Sequence, residues 1–206
     1  MDEATRETIS YYDENAKRFV ADTAGARMGE LQSKFASMLP KGGRILDLGC
    51  GSGRDSLAFL KAGFKVDAMD GSAAMCRAAH ALTSLPVAHA TFEDYEPQGP
   101  YDGIWACSSL LHVPSAKLPA IIGKYAGALK SGGTFYLSFK YGTFEGMRHG
   151  RWFTDMDEEL LRSLVAHVEG LRLNEIEVTA DVRPGRAGEI WANAWSEFES
   201  DVRSYS

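Results

Sequence analysis

Cysteine is scarce and irregularly placed: Cys50, Cys76 and Cys107 are the three in 206 residues, and no two stand at C-x-x-C spacing. An odd, scattered set argues against a disulfide framework or a thiolate metal centre and suits a reducing compartment. No apolar run is long enough to cross a bilayer, and the N-terminus lacks the basic-then-apolar pattern of an export signal. Lys and Arg number 22 against 28 Asp and Glu, a net charge of -6, so no broad basic surface for nucleic acid is expected. These absences leave a soluble cytoplasmic protein acting on small molecules, with no nucleic acid, membrane or metal partner, as a monomer or homodimer. At 45% apolar, the chain can bury one sizeable core and reads as a single domain, 1–206.

What is present centres on residues 44–55, "RILDLGCGSGRD". An apolar run of strand length, 45–48, breaks into Gly49, Gly51 and Gly53 and then into a helix-compatible segment, 56–62. Glycines let a ligand press against the main chain, and the N–H groups of the new helix point at it. The dinucleotide fingerprint G-x-G-x-x-G wants its third glycine at position 54, where Arg54 stands. Asp47 ends the first strand, where a carboxylate meets an ammonium and repels a phosphate. Asp70 ends the next apolar run about 20 residues past the turn, the place from which such folds hold a ribose. The implied ligand has a ribose and a cationic amino acid part, and no pyrophosphate.

The stretch resembles the first motif of the class I S-adenosylmethionine-dependent methyltransferases, and the likeness runs from about Tyr11 to the C-terminus. It implies S-adenosylmethionine as cofactor, with Gly49, Gly51 and Gly53 facing its amino acid moiety and Asp70 holding its ribose. Cys50 and Gly71 belong to the same two turns. The residues after the third strand in that family flank the adenine, which by position are Thr91 and Phe92. Met75, in the first turn of the following helix, packs on the adenine or in the core. Cys107 lines the cofactor or the core. Arg54 pairs either with Asp55 or with the carboxylate of the bound amino acid. The segment "YYDENA" matches one that folds over the cofactor in small members, placing Tyr11 and Tyr12 there; alternatively one ring is core and the other surface.

The same resemblance bears on chemistry. After the fourth strand the chain has "ACSSLLHVP" rather than the [DN]-P-P-[FY] of enzymes that methylate exocyclic or amide nitrogens, and Ala106 rather than Pro precedes Cys107. His112 resembles a position of small-molecule members and is a candidate general base, with Tyr12 or Tyr11 beside it, or else a helix cap. In-line displacement of a methyl group needs chiefly alignment and exclusion of water, so no obligatory catalytic side chain is expected. The turn "GCGSGRD" is similar to that of tellurite- and thiol-detoxifying members. Rival readings are a non-catalytic cofactor-binding or sensor protein and a nucleotide-cofactor oxidoreductase.

Periodicity supplies the frame. Helices are expected over 5–20 and 28–39, strands at 45–48, 64–69, 86–94 and 101–106, a helix capped by Ser72, and a helix from Leu118 that ends at "LKSGG" before strand "TFYLSF". A helix begins at Thr154 and Asp157, and β-rich runs 171–179 and 189–198 flank "ADVRPGRAG". The fold class is α/β, a doubly wound, mainly parallel seven-stranded Rossmann-like sheet with a C-terminal antiparallel hairpin. Within it, 1–43 covers the cofactor, 44–139 binds it, 140–154 is a lid loop and 155–206 adds a helix and the hairpin. The lid carries Lys140, Arg148 and Arg151 against Glu145, with Tyr141, Phe144 and Trp152. Lys140, Tyr141, Arg148 and Arg151 are candidate acceptor-binding residues, the cations recognising an anionic group; the alternative is a solvated loop.

Overall fold

Each central strand is a short apolar run between turn residues, and these runs stack into one sheet. The computed structural model describes residues 1–23, 28–183, 185–186 and 188–200. Strand β1 (Arg44–Leu48) pairs in parallel with β2 (Lys65–Asp70) and β4 (Tyr101–Ala106). Strand β3 (Val87–His89) extends the β2 side, and β5 (Leu129–Lys140) the β4 side. The last strands, β8 (Leu171–Ala180) and β9 (Ile190–Phe198), run antiparallel and give the seven-stranded order β3-β2-β1-β4-β5-β9-β8. The order reverses between β1 and β4, and the crevice outside the carboxyl ends of strands at such a point is where open α/β sheets bind ligands.

Alternation along the strands divides the core. Ile45 and Trp105 face α2 (Gly29–Ser37) and α3 (Arg54–Lys61), where Phe35, Phe59 and Tyr136 join them; the Trp105 and Tyr136 rings stack at 4.0 Å. Leu46, Ile104 and Phe135 face α5 (Leu118–Ala126) and α6 (Glu158–Ala166). Helix α4 (Ala73–Thr83) packs beside α3, its N-terminus capped by Ser72 Oγ, which accepts from Met75 N–H at 3.1 Å. Helix α1 (Glu3–Thr23) buries only Thr8 and Thr23 and is held by polar contacts. Among the described residues no helix is long and apolar enough to cross a membrane.

The structure departs from the sequence expectations in several places. "LKSGG" does not end α5 but opens β5: the Tyr101 N–H takes the Ala128 carbonyl at 2.9 Å, which draws the chain into the sheet straight after the helix. Tyr101 pairs with Leu129 and Gly103 with Thr134, so β5 bulges at Gly132, whose φ is +78°. Strand β3 is only three residues long, and residues 90–94 form a turn. The lid is a hairpin rather than a loop: β6 (Glu145–Arg148) and β7 (Arg151–Thr154) join through His149 and Gly150, at φ +53° and +76°. Two left-handed residues in succession make the tight turn whose twist matches its strands. Thr154 closes β7, and Asp157 alone caps α6, its carboxylate accepting from Leu160 N–H at 2.9 Å. Residues 24–27, between the first two expected helices, and Pro184 and Ala187 of the terminal turn lie outside the described residues.

Gly53 starts α3 at φ +81°, and a Cβ there would lie 2.9 Å from Ala79 Cα in α4. Gly53→Ala is therefore expected to destabilise the fold by about 1–3 kcal/mol, read as a lowered midpoint in thermal denaturation.

Candidate active site

The floor of the site is the turn from β1 into α3. Gly49 and Cys50 N–H groups both donate to the Met69 carbonyl, at 3.0 and 2.9 Å, which ties this turn to the end of β2. All three glycines are left-handed, at φ +77°, +54° and +81°. Their surroundings differ: a Cβ on Gly49 would strike Ser109 Cβ at 2.5 Å, whereas one on Gly51 would have nothing nearer than Phe19, at 3.9 Å. Gly51 is thus the glycine with open space over it. The Asp70 carboxylate accepts from Gly51 N–H and Ser72 N–H, both at 2.8 Å, so it fixes both turns. Gly71 makes room for α1, whose Ile9 would lie 3.1 Å from a Cβ there.

Buried charge accumulates beneath this floor. Asp47 is 3% exposed, and Ser56 Oγ donates to it at 2.5 Å. Burial, reinforced by neighbouring Asp55, pushes its carboxyl up to about 7. Asp55 is buried too, which works to raise it. Arg54, which donates Nε and Nη2 to it at 2.7 and 2.9 Å, with Trp105 and Gln32, outweighs that and holds it below the ordinary range. Arg54 therefore has Asp55 as its partner, the first of the two alternatives. Burial also raises Asp70, against its two amide bonds. Three acids face one arginine here, leaving a place for a cation. The thiols of Cys50 and Cys107 are pushed up by burial, Cys107 to about 12, so neither is a ready nucleophile.

Helix α1 roofs the site. Asp13 accepts from Ser72 Oγ at 2.6 Å and Ala74 N–H at 2.9 Å, capping α4 from a distance of 59 residues. Thr8 Oγ1 accepts from Trp152 N–H in β7 at 3.0 Å. Between these contacts the Tyr12 hydroxyl lies 2.8 Å from His112 Nε2, while His112 Nδ1 lies 2.6 Å from the Trp152 carbonyl. A carbonyl can only accept, so Nδ1 carries the proton and Tyr12 donates to Nε2. Burial pushes the imidazole down to about 3, with Arg151 and Arg148 adding to the effect. The expectation of a histidine titrating near neutrality is thereby corrected, and His112 is no helix cap: it binds α1 to the hairpin. Burial likewise raises the Tyr12 phenol.

At the far end stand the hairpin and the strand edges. Lys140 pairs with Glu189, and Arg148 donates to both oxygens of Asp155 at 2.7 and 3.0 Å, so neither is the free cation the sequence implied. Tyr141 lies 40% exposed, donates to Glu158 at 2.7 Å and does not line the cavity, contrary to expectation. Arg151 lines it, lying over the Tyr11 and Phe153 rings at 4.5 and 5.0 Å.

One cavity of about 710 Å³ joins these parts, reached by Tyr11, Tyr12, Asp47, Gly49, Cys50, Gly51, Arg54, Asp70, Gly71, Met75, Thr91, Phe92, Cys107, His112, Lys140, Arg148 and Arg151. Gly53 does not reach it; its role is to let α4 approach. Thr91 Oγ1 donates to Asp94 at 2.7 Å, and Met75 and Phe92 supply apolar surface beside it. Sequence reasoning missed Asp13, which carried no signal because its partners are remote, and the cavity-lining Asp181, Arg183 and Trp191 of the β8–β9 end. A ligand with an ammonium for Asp47, a ribose for Asp70 and a flat base for Met75 and Phe92 fits these residues. Among the described residues no group of three His, Cys, Asp or Glu is placed to hold a metal.

Residues 45–133 match a family model described as a methyltransferase domain. A ubiquinone biosynthesis O-methyltransferase of Xanthomonas axonopodis pv. citri (strain 306) is 34% identical over 115 residues, covering 52% of this chain and 47% of that protein. The chain thus spans about half the length of the curated relatives it matches. Among solved structures, Burkholderia thailandensis 1,6-didemethyltoxoflavin-N1-methyltransferase with bound 1,6-didemethyltoxoflavin and S-adenosylhomocysteine superposes with TM-score 0.73 at 18% identity, over 96% of this chain and 88% of the other. The [4+2]-cyclase SpnF superposes with TM-score 0.74 at 16% identity, over 93% and 95%. Likeness at this level is likeness of fold.

The raised Asp47 carboxyl has a consequence for stability. Its folded pKa lies above the unfolded value, so between about pH 4 and 7 the native state holds the extra proton, and stability falls as pH rises through that window. Asp47→Asn removes the buried charge. It is expected to raise the melting midpoint most at pH 8, where the native carboxyl is forced to ionise, and by clearly less at pH 5, where the native state still holds the proton. Thermal denaturation at the two pH values checks this; an equal change at both would contradict it.

Proposed function

We propose that the chain, whose residues 45–133 match a methyltransferase domain, is a class I S-adenosylmethionine-dependent methyltransferase and transfers a methyl group to a small acceptor that is anionic or a soft nucleophile. The observation that carries this reading is the surplus of buried acid at the ends of β1 and β2, set around a glycine turn with open space over Gly51. S-adenosylmethionine, when bound, supplies an electrophilic methyl group on a sulfonium.

The chain's own residues bind, orient and exclude water. Asp47 would hold the ammonium of the amino acid part, relieving its own burial, and Asp70 the ribose hydroxyls, with its carboxylate already fixed by two backbone amides. Met75, Thr91 and Phe92 would flank the base. Helix α1 excludes water by lying across the cavity from Asp13 at the α4 end to Thr8 at the hairpin. Held in near-attack geometry, two partners gain roughly 7–11 kcal/mol of the barrier without any acid or base. Tyr12 and His112 are assigned to positioning, because each keeps its neutral form through the physiological range and the proton between them is already committed. The anionic or soft character of the acceptor follows: a nucleophile that arrives ionised, or a soft atom that bears no hydrogen, has no proton to surrender. A buried Asp47 beside a half-buried Asp70, awaiting an ammonium, does not suit a pyrophosphate dinucleotide, which argues against a nucleotide-cofactor oxidoreductase.

Calorimetry with S-adenosylhomocysteine tests the reading. The wild type is expected to bind it, and Gly51→Val, whose side chain would enter the open space over the turn, to bind at least about 100-fold more weakly while retaining its circular dichroism spectrum. Absence of binding by the wild type would overturn the assignment.

A further inference from the structure

The cations that line the cavity are not equivalent. Arg18, Arg54, Lys140, Arg148, Arg183 and Arg186 each have a carboxylate oxygen within 3.8 Å, Arg18 and Arg186 in solvent-exposed pairs, so each has an acidic partner on the protein. Arg151 has none among the described residues. Its Nη1 donates to the Tyr12 hydroxyl at 3.3 Å, and its buried Nε has no hydrogen-bond partner. In place of an anion it has rings: its guanidinium carbon lies 4.5 Å from the Tyr11 ring centre, 5.0 Å from Phe153 and 5.6 Å from Tyr12. Rings hold a guanidinium by its face and leave its N–H edge available, and that edge is a fork matched to two oxygens of one planar group.

The Tyr12–His112 pair beside it limits what form that group takes on arrival. His112 Nδ1–H is occupied by the Trp152 carbonyl and Nε2 by the Tyr12 proton. A second proton on this imidazole would lie buried near two cations, Arg151 and Arg148. Arg151 is thus a cation ready for an oxyanion, and the Tyr12–His112 pair beside it has no free base with which to generate one.

We propose that Arg151 is the recognition site for a planar oxyanion on the methyl acceptor, a carboxylate or an acidic phenol or enol, bound already ionised and lying among Tyr11, Tyr12 and Phe153. This rests on the methyl-transfer reading above and adds the acceptor class to it. The anion takes the place that a carboxylate side chain holds at every other cation of the cavity.

The test uses the full chain saturated with S-adenosylhomocysteine and two isosteric probes, benzoate and benzamide, titrated by calorimetry. Benzoate is expected to bind at least tenfold more tightly than benzamide. In Arg151→Gln that preference should fall below twofold, with affinity for S-adenosylhomocysteine within twofold of wild type. Arg151→Lys keeps the charge without the fork and should retain an intermediate preference, which separates recognition from misfolding. A second arm adds 4-nitrophenol below its own pKa and follows its phenolate absorption band. Growth of the band on adding the protein assigns the site to phenolates as well; benzoate discrimination without it restricts the site to carboxylates, and either outcome supports the proposal. Equal binding of benzoate and benzamide by the wild type would overturn it. So would loss of S-adenosylhomocysteine affinity in Arg151→Gln equal to the loss of benzoate, which would give Arg151 to the cofactor. Failure of the wild type to bind S-adenosylhomocysteine would instead overturn the methyl-transfer reading, and this proposal with it.

Discussion

Two neighbouring strands carry acids at their carboxyl ends, one buried and one half-buried. Asp47 stands one residue before the end of β1 and Asp70 closes β2, and with Asp55 behind them they outnumber the one arginine that shares their space. Burying charge without compensation is unfavourable, and burial raises both strand-end carboxyls in response. A fold that keeps such an arrangement keeps it for a ligand that brings the missing positive charge. The glycine turn serves the same end, since Gly51 leaves space where any other residue would fill it.

The second constraint is that the chain's first helix buries few of its residues completely, with Ile9, Tyr12 and Phe19 facing the cavity. A line of polar contacts ties helix α1 down: Asp13 to the start of α4, Tyr12 to His112, Thr8 to the hairpin. Those contacts run from the α4 end to the hairpin end of one cavity, so the helix that shields the floor also orders the residues at the roof. Contacts of this kind open more readily than an apolar core, which suits an element that must admit ligands. The hairpin β6–β7 is the other half of the roof, and its tight turn at His149 and Gly150 places Arg151 beside Tyr11.

How much of this was legible in the sequence depends on how local the cause is. The glycine turn, Asp70 at the end of an apolar run, Ser72 as a cap and the buried run 101–106 all rest on neighbours in the chain, and each stands where the pattern placed it. The terminal antiparallel pair was readable for the same reason. Partnerships across the chain were not. Arg148 and Lys140 read as free cations because Asp155 and Glu189 have no sequence mark as their partners, and Arg151 was indistinguishable from them. His112 read as a base near neutrality because its burial and its bond to Trp152 are properties of the assembled fold. "LKSGG" read as a helix end because the demand of Tyr101 for the Ala128 carbonyl is a tertiary one.

The central claim is that the strand-end acids exist to hold the cationic amino acid and the ribose of one nucleoside. A crystal structure of the complex with S-adenosylhomocysteine tests it most directly. The account predicts the ligand's ammonium hydrogen-bonded to Asp47 and its ribose hydroxyls to Asp70, with the sulfur turned toward the part of the cavity that Tyr12 and Arg151 line. A ligand bound with its ammonium away from Asp47 and its ribose away from Asp70 would contradict it.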